Sequence, residues 1–359
     1  MRIAFITRAT LYKVPGGDTI QILQTVKHLK KAGVSADIFL TNSHINYPDY
    51  DVLHFSNITR PSDILFHINK SDKPFVVSPI LIDYSEYDRR YRKGLPGLLL
   101  KSLPKGMNEY VKTVSRWLIG KDVLQSKTYL WQGQEKSIRE VLNRAAAILP
   151  ASEVEYQRLI EMYGIKKKYA VVPNGIDPLL FSPDERTARQ DNLVLCAARI
   201  EGLKNQLNLI KALNNTSYTL MLIGSPAPNQ KKYYEECRKV AAKNIFFYKQ
   251  MPQETLTHYY RAAKVHALPS WFETCGLSSL EAAAAGCNIT ITEKGYTRDY
   301  FGDDAFYCNP EDCNSIYAAI DRAAHSNSSK RLQEKIAQNY TWQQAAAITL
   351  ETCKNIISG

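Results

Sequence analysis

Short apolar runs alternate with segments of helical period along almost the whole chain. Residues 3–6 form an apolar run. The turn Val14-Pro15-Gly16-Gly17-Asp18-Thr19 then leads into Ile20, Leu23, Val26 and Leu29, a spacing that predicts a helix ending at Gly33. Asp18 or Thr19 is the expected cap of that helix. Residues 34–40, 51–55 and 74–78 read as further strands, with a helix over about 62–69 between the last two. The rhythm resumes at 145–149, a strand followed by a helix from Ser152 to about 162 and a strand at 169–172. Val172-Pro173-Asn174-Gly175-Ile176-Asp177, with Pro178 and Pro183, is rich in turn formers and marks a boundary. Beyond it strands are expected at 193–198, 218–223, 245–248 and 288–291, and helices at 204–213, after Pro228, at 311–324 and from Trp342 to about 357.

Strands alternating with helices predict parallel sheets covered on both faces, so the fold class is α/β with two doubly wound domains. The expected division is 1–173, 174–342 and a final helix over 343–359. Residues 84–139 break the pattern. Gly94, Pro96, Gly97, Pro104 and Gly106 interrupt basic and apolar residues there, which predicts an insertion of amphipathic helices in the first domain.

Composition changes this picture in three places. The 359 residues suit two cores rather than one, and no apolar run approaches the ~18 residues that span a bilayer. The first residues run straight into a strand with no cleavage-site pattern, so no signal peptide is expected and the location is cytoplasmic. Seven cysteines, at 196, 237, 275, 287, 308, 313 and 353, include no C-x-x-C pair, which predicts free thiols and no zinc site. The net charge of +11 implies an anionic partner. Twelve basic residues against three acids fall between Arg89 and Arg139, interleaved with Leu98, Leu99, Leu100, Leu103, Trp117, Leu118 and Ile119. That pattern fits either peripheral contact with an anionic membrane surface or a solvated basic face; it matches no nucleic-acid motif.

Three clusters carry candidate chemistry. Gly16 and Gly17 let the backbone of the first strand-to-helix turn approach a ligand, although the full G-x-G-x-x-G spacing is missing. Arg199 and Lys204 flank a glycine turn after the 193–198 strand, so both cations can reach one phosphate. In Pro269-Ser-Trp-Phe-Glu273-Thr-Cys-Gly276-Leu277-Ser-Ser-Leu-Glu281-Ala-Ala-Ala-Ala-Gly286, one carboxylate lies in a loop and the other about a turn inside a helix. The N–H groups near Gly276 and Leu277 lie between them and suit an anion carrying hydroxyls. His54, His258 and His266 are read as structural.

The last stretch resembles the E-x7-E signature of retaining GT-B glycosyltransferases, family 4 in particular, and Val172–Asp177 resembles that family's P-N-G-[VI]-D junction. The resemblance implies two Rossmann-like domains facing across a cleft, with the C-terminal helix crossing back to the first. It also implies roles. Glu281 would bind the ribose hydroxyls and Glu273 the transferred sugar, while Arg199 and Lys204 hold the diphosphate, aided by Gly276 and Leu277. Gly16 and Gly17 would close over the diphosphate from the other domain. No metal or cofactor is implied; the donor would be a UDP- or GDP-linked sugar, and the acceptor a glycan or polyprenyl-linked glycan in bacterial surface polysaccharide assembly. The chain departs from the family in having Ser78-Pro79-Ile80 where a T-x-H histidine is common, and Gly295-Tyr-Thr-Arg298-Asp299-Tyr300 where a Gly-Gly-x-x-E loop is common. A catalytically silent sugar-nucleotide-binding protein and a nucleotide-sugar epimerase are the alternatives.

Overall fold

The computed structural model describes residues 1–84, 86–87, 107–120, 124–184 and 186–358. These divide into two compact units. The first gathers Met1–Leu81 with the described parts of Arg92–Asn174 and Trp342–Gly359, and the second the described parts of Ile82–Tyr91 and Gly175–Thr341. Of the basic run expected over 89–139, residues 89–106 and 121–123 lie outside the described residues. Glu86, just upstream, belongs to the second unit, where its carboxylate meets the Lys294 ammonium at 2.7 Å.

In the first unit β1 (Arg2–Thr7), β2 (Ser35–Leu40), β3 (Val52–Ser56), β4 (Phe75–Ser78) and β5 (Ala147–Ile148) form a parallel sheet in the order β2-β1-β3-β4-β5. Ile3, Ala4, Val52, Leu53, Val76 and Val77 are fully buried, as expected where helices cover both faces of a parallel sheet. The helices are α1 (Gly17–Lys31), α2 (Pro61–Ile68), α3 (Met107–Leu118), α4 (Thr128–Arg144) and α5 (Glu153–Tyr163). The C-terminal helix, Trp342–Ser358, packs along α1 in this unit.

Two sequence expectations need correction here. The buried face of α1 is Thr19, Ile22, Thr25, Val26 and Leu29, so Leu23 points outward and is 40% exposed. Thr19 tolerates burial because its hydroxyl accepts the Gly16 N–H and donates to the Leu11 carbonyl. Of the two expected caps, Thr19 closes a capping box with Gly16, while Asp18 is drawn to Arg8. The strand expected at 169–172 reduces to a single bridge between Tyr169 and Ile148.

In the second unit β6 (Gln190–Ala197), β7 (Thr219–Ile223), β8 (Ile245–Tyr248), β9 (Ala263–Leu268), β10 (Asn288–Thr292) and β11 (Phe306–Cys308) are parallel in the order β11-β10-β9-β6-β7-β8. They alternate with α6 (Gln206–Leu213), α7 (Lys231–Val240), α8 (Gln253–Ala262), α9 (Leu277–Ala284), α10 (Thr297–Phe301), α11 (Cys313–His325) and α12 (Lys330–Asn339). The chain starts this sheet at β6, builds β7 and β8 on one side, then returns to place β9 on the other. The order therefore reverses between β6 and β9. Loops leaving the carboxyl ends of two such strands diverge and leave a crevice, the usual ligand position in open α/β sheets. Both units are thus Rossmann-like.

Candidate functional site

The turn after β6 and the turn after β9 carry Arg199 to Lys204 and Pro269 to Gly276, so the topology brings two distant segments to one crevice of the second unit. Lys204 and Glu273 meet there. The ammonium donates to Glu273 Oε2 at 2.6 Å, across 69 positions of sequence. Burial alone would lower the Lys204 pKa, but the charge of Glu273 and this hydrogen bond outweigh it and raise the pKa above the ordinary lysine value. Ser270 Oγ donates to the same oxygen at 3.1 Å, and Oε1 has no partner among the described residues.

Lys204 is not the first residue of a helix, as its sequence position implied. It ends a 3-10 turn, Gly202–Lys204, and Asn205 follows in the left-handed region before α6 begins. The Asn205 amide explains the extra turn. It is buried and donates to the carbonyls of Pro269 and Pro310, at 3.0 and 2.7 Å, fastening the lysine turn to the loop that carries Glu273. Arg199 sits at the other end of the turn and donates to Glu201 at 3.1 Å. Gln206 steadies the segment by donating to the Arg199 carbonyl at 2.8 Å.

Glu273 is seated by the loop that departs from the family pattern. Its N–H donates to the Lys294 carbonyl and its carbonyl accepts from the Tyr296 N–H, both at 3.0 Å. Between these two sits Gly295, at φ +115°. A Cβ there would lie 1.9 Å from the Glu273 carbonyl oxygen, so only glycine allows the two strands of backbone to meet. The Lys294 side chain bridges Glu86 and Glu311 at 2.7 and 3.3 Å.

Gly276, in the left-handed region at φ +68°, is the N-cap of α9, with no side chain to satisfy the helix start. Its carbonyl accepts from Ser279 and Leu280, leaving the first-turn N–H groups, beginning at Leu277, aimed out of the helix. Glu281 lies one turn further in and is only 7% exposed. Gln253 Nε2 donates to its Oε1 at 2.7 Å and Tyr260 Oη to its Oε2 at 3.1 Å. Burial pushes its carboxyl up to about 7, against the two hydrogen bonds, which pull it down. Each oxygen retains a lone pair.

Six residues singled out by sequence, Arg199, Lys204, Glu273, Gly276, Leu277 and Glu281, therefore belong to the second unit. Gly16 and Gly17 open α1 in the first. Arg8, which the sequence gave no reason to choose, organises that turn: it donates to both Asp18 oxygens and to the carbonyls of Thr10 and Val14. Asn205, Gln253, Tyr260 and Lys294 were equally inconspicuous. Gln253 and Tyr260 had one signal, a seven-residue spacing that puts both on one face of a helix. His54 and His266 are buried, and burial lowers each to about 3, so both are neutral core residues. His258 lies exposed on α8. All seven cysteines are free thiols. Among the described residues no group of three His, Cys, Asp or Glu side chains could hold a metal ion.

Residues 181–341 match the family described as Glycosyl transferases group 1. D-inositol 3-phosphate glycosyltransferase of Pseudarthrobacter chlorophenolicus is 26% identical over 94% of this chain and 90% of its own length. MMP alpha-(1->4)-mannosyltransferase of Mycolicibacterium hassiacum is 22% identical over 64% of this chain and 58% of its own. Among solved structures, sucrose-phosphate synthase from Thermosynechococcus elongatus superposes with a TM-score of 0.77 at 15% identity, covering all of both chains. Anabaena HepE in complex with UDP and glucose gives 0.65 at 14% identity, covering 100% of this chain and 98% of that one. The structural likenesses establish the fold, two Rossmann-like α/β domains. The family match lies on the second unit, and the Pseudarthrobacter relative is similar over nearly the whole chain.

Proposed function

We propose that the protein is a retaining glycosyltransferase of family 4 type that transfers a sugar from a nucleoside diphosphate to a glycan or polyprenyl-linked acceptor. The observation that carries this reading is the Lys204–Glu273 pair beside the glycine-capped start of α9. A cation for the leaving diphosphate and a carboxylate for sugar hydroxyls stand in contact, next to helix N–H groups that favour a phosphate. Arg199 extends the cationic side, and Glu281 offers its remaining lone pairs to the ribose diol. As the glycosidic bond breaks, negative charge grows on the diphosphate, and Lys204 and Arg199 stabilise it in place of a metal ion. A donor phosphate oxygen takes the acceptor proton, so the acceptor enters on the face the diphosphate leaves. No cofactor takes part.

Thermal-shift titrations with UDP, GDP, CDP, ADP and dTDP, with and without Mg²⁺, test the donor half. A shift for one nucleotide that persists without metal and fades in Glu281→Ala is expected. A shift that requires Mg²⁺ would overturn the metal-free diphosphate site.

A cytoplasmic, membrane-peripheral location in bacterial surface polysaccharide assembly belongs to the same proposal. Trp117, Leu118 and Ile119 at the end of α3 are 39%, 70% and 63% exposed, close in sequence to Arg116, and Trp131 of α4 is 90% exposed. Exposed aromatic and aliphatic residues beside basic ones suit the interface of an anionic bilayer. Among the described residues no helix is long and apolar enough to cross a membrane. Salt-sensitive flotation with phosphatidylglycerol vesicles is expected; flotation equal with neutral vesicles would remove the electrostatic part.

A further inference from the structure

Helix α8 lies against α9 and presents Gln253 and Tyr260 on one face, two turns apart. Each donates one hydrogen bond to a different oxygen of Glu281. Tyr260 is fully buried and Gln253 half-buried. A carboxyl held by one oxygen can rotate about its terminal bond; one held at both oxygens from a single rigid helix has its plane fixed. We propose that Tyr260 and Gln253 are positioning residues that fix the plane and the ionised state of Glu281, so that its two free lone pairs face a vicinal diol. The inference rests on the ribose-binding reading of Glu281 given above.

The chemistry favours this role over plain packing. A phenol and a primary amide are neutral donors, so they stabilise the carboxylate without cancelling its charge, leaving it a strong acceptor for two hydroxyls. An arginine or lysine in their place would compete with the ligand. Among the described residues the Tyr260 hydroxyl makes this one hydrogen bond: the phenol ring lies against Phe181 and His266, and its Oη donates to the carboxylate. Removing that hydroxyl takes away a bond that favours the charged form, so the Glu281 carboxyl must titrate at higher pH.

The test combines ¹³C NMR of the glutamate carboxyl carbons with UDP and GDP binding by calorimetry between pH 6 and 9. It is run on wild type, Tyr260→Phe, Gln253→Ala and Glu281→Ala, the last to assign the resonance. In both positioning variants the Glu281 titration is expected to move upward. Nucleotide affinity should fall about tenfold near pH 6.5 and return to within about twofold of wild type near pH 9. An unmoved titration, or wild-type affinity near pH 6.5 in both variants, would overturn the positioning role and leave only packing. Gln253→Ala, on the accessible end of α8, decides the matter if Tyr260→Phe does not fold. Unchanged UDP and GDP affinity in Glu281→Ala, or binding of neither nucleotide by wild type, would instead refute the ribose reading, while the NMR titration still reports on the positioning.

Discussion

Two turns of this molecule share a construction and differ in what they leave over. In the first unit β1 runs into α1 through Gly16, and in the second β9 runs into α9 through Gly276; both glycines are N-caps that offer no side chain to the helix. In the first turn the charges close on themselves. Arg8 reaches both Asp18 oxygens and two backbone carbonyls, so the guanidinium fork is used in holding the loop. Around the second turn capacity remains. Lys204 gives Glu273 one of its three donors, and among the described residues Glu273 Oε1 is unpartnered and Glu281 accepts from neutral donors alone. A glycine-opened helix is a common scaffold; unspent hydrogen-bonding and charge are what make one of them a candidate site.

The sharpest way to break this contrast is Lys204→Ala. Turnover of the donor sugar is expected to fall roughly 10²- to 10³-fold, the usual cost of removing a donor aimed at developing negative charge, with a smaller change in donor affinity. Steady-state kinetics with the donor identified by thermal shift would check it, and wild-type turnover would place the second turn alongside the first as structural. Glu281→Ala comes next. Loss of one hydrogen-bonding carboxylate should weaken nucleotide binding by about 1–3 kcal/mol, measured by calorimetry. On the other side of the comparison, Arg8→Lys keeps the charge but not the fork. Stability should drop by roughly 0.5–1.5 kcal/mol in urea unfolding, and an unchanged midpoint would mean that Asp18 and the carbonyls do not need the guanidinium.

The smallest expected effect concerns two buried carboxyls, one in each unit. Glu155 accepts the N–H groups of Leu81 and Ala151, at 2.7 and 2.6 Å, and caps α5 together with Ser152. Burial pushes it, like Glu281, up to about 7 from 4.5. A carboxyl that keeps its proton to a higher pH in the folded state gives that state the extra proton between those values. Stability therefore falls as pH rises from about 4.5 to 7 and levels off above. Glu155→Gln and Glu281→Gln should each flatten that slope in unfolding experiments at several pH values; a stability that rises with pH through this range in wild type, and is unaffected by either change, would contradict both environments.

The E-x7-E stretch was legible because its chemistry and its local structure coincide in eighteen consecutive residues, and Glu273 and Glu281 fell in loop and helix as their spacing required. Position along α1 was less legible. Leu23 fits the apolar period, yet Thr19 and Thr25 take the inward places, since a satisfied hydroxyl is buried as readily as a methyl. The supports of the site were hidden for a different reason. Asn205, Tyr260 and Lys294 are ordinary residues whose partners lie far along the chain, and no local pattern records a contact across 64 positions such as Asn205 to Pro269.

The sequence by itself determined the α/β alternation and the residue types at the candidate site, because periodicity and spacing are properties of neighbours in the chain. Tertiary structure decided which of them meet. The reversal of strand order between β6 and β9 puts Lys204 on Glu273, Gly295 makes room for the Glu273 carbonyl, and the packing of α8 on α9 sets the two donors on Glu281. Those are consequences of how a sheet is wound and how closely two backbones approach, and they exist only once the chain has folded.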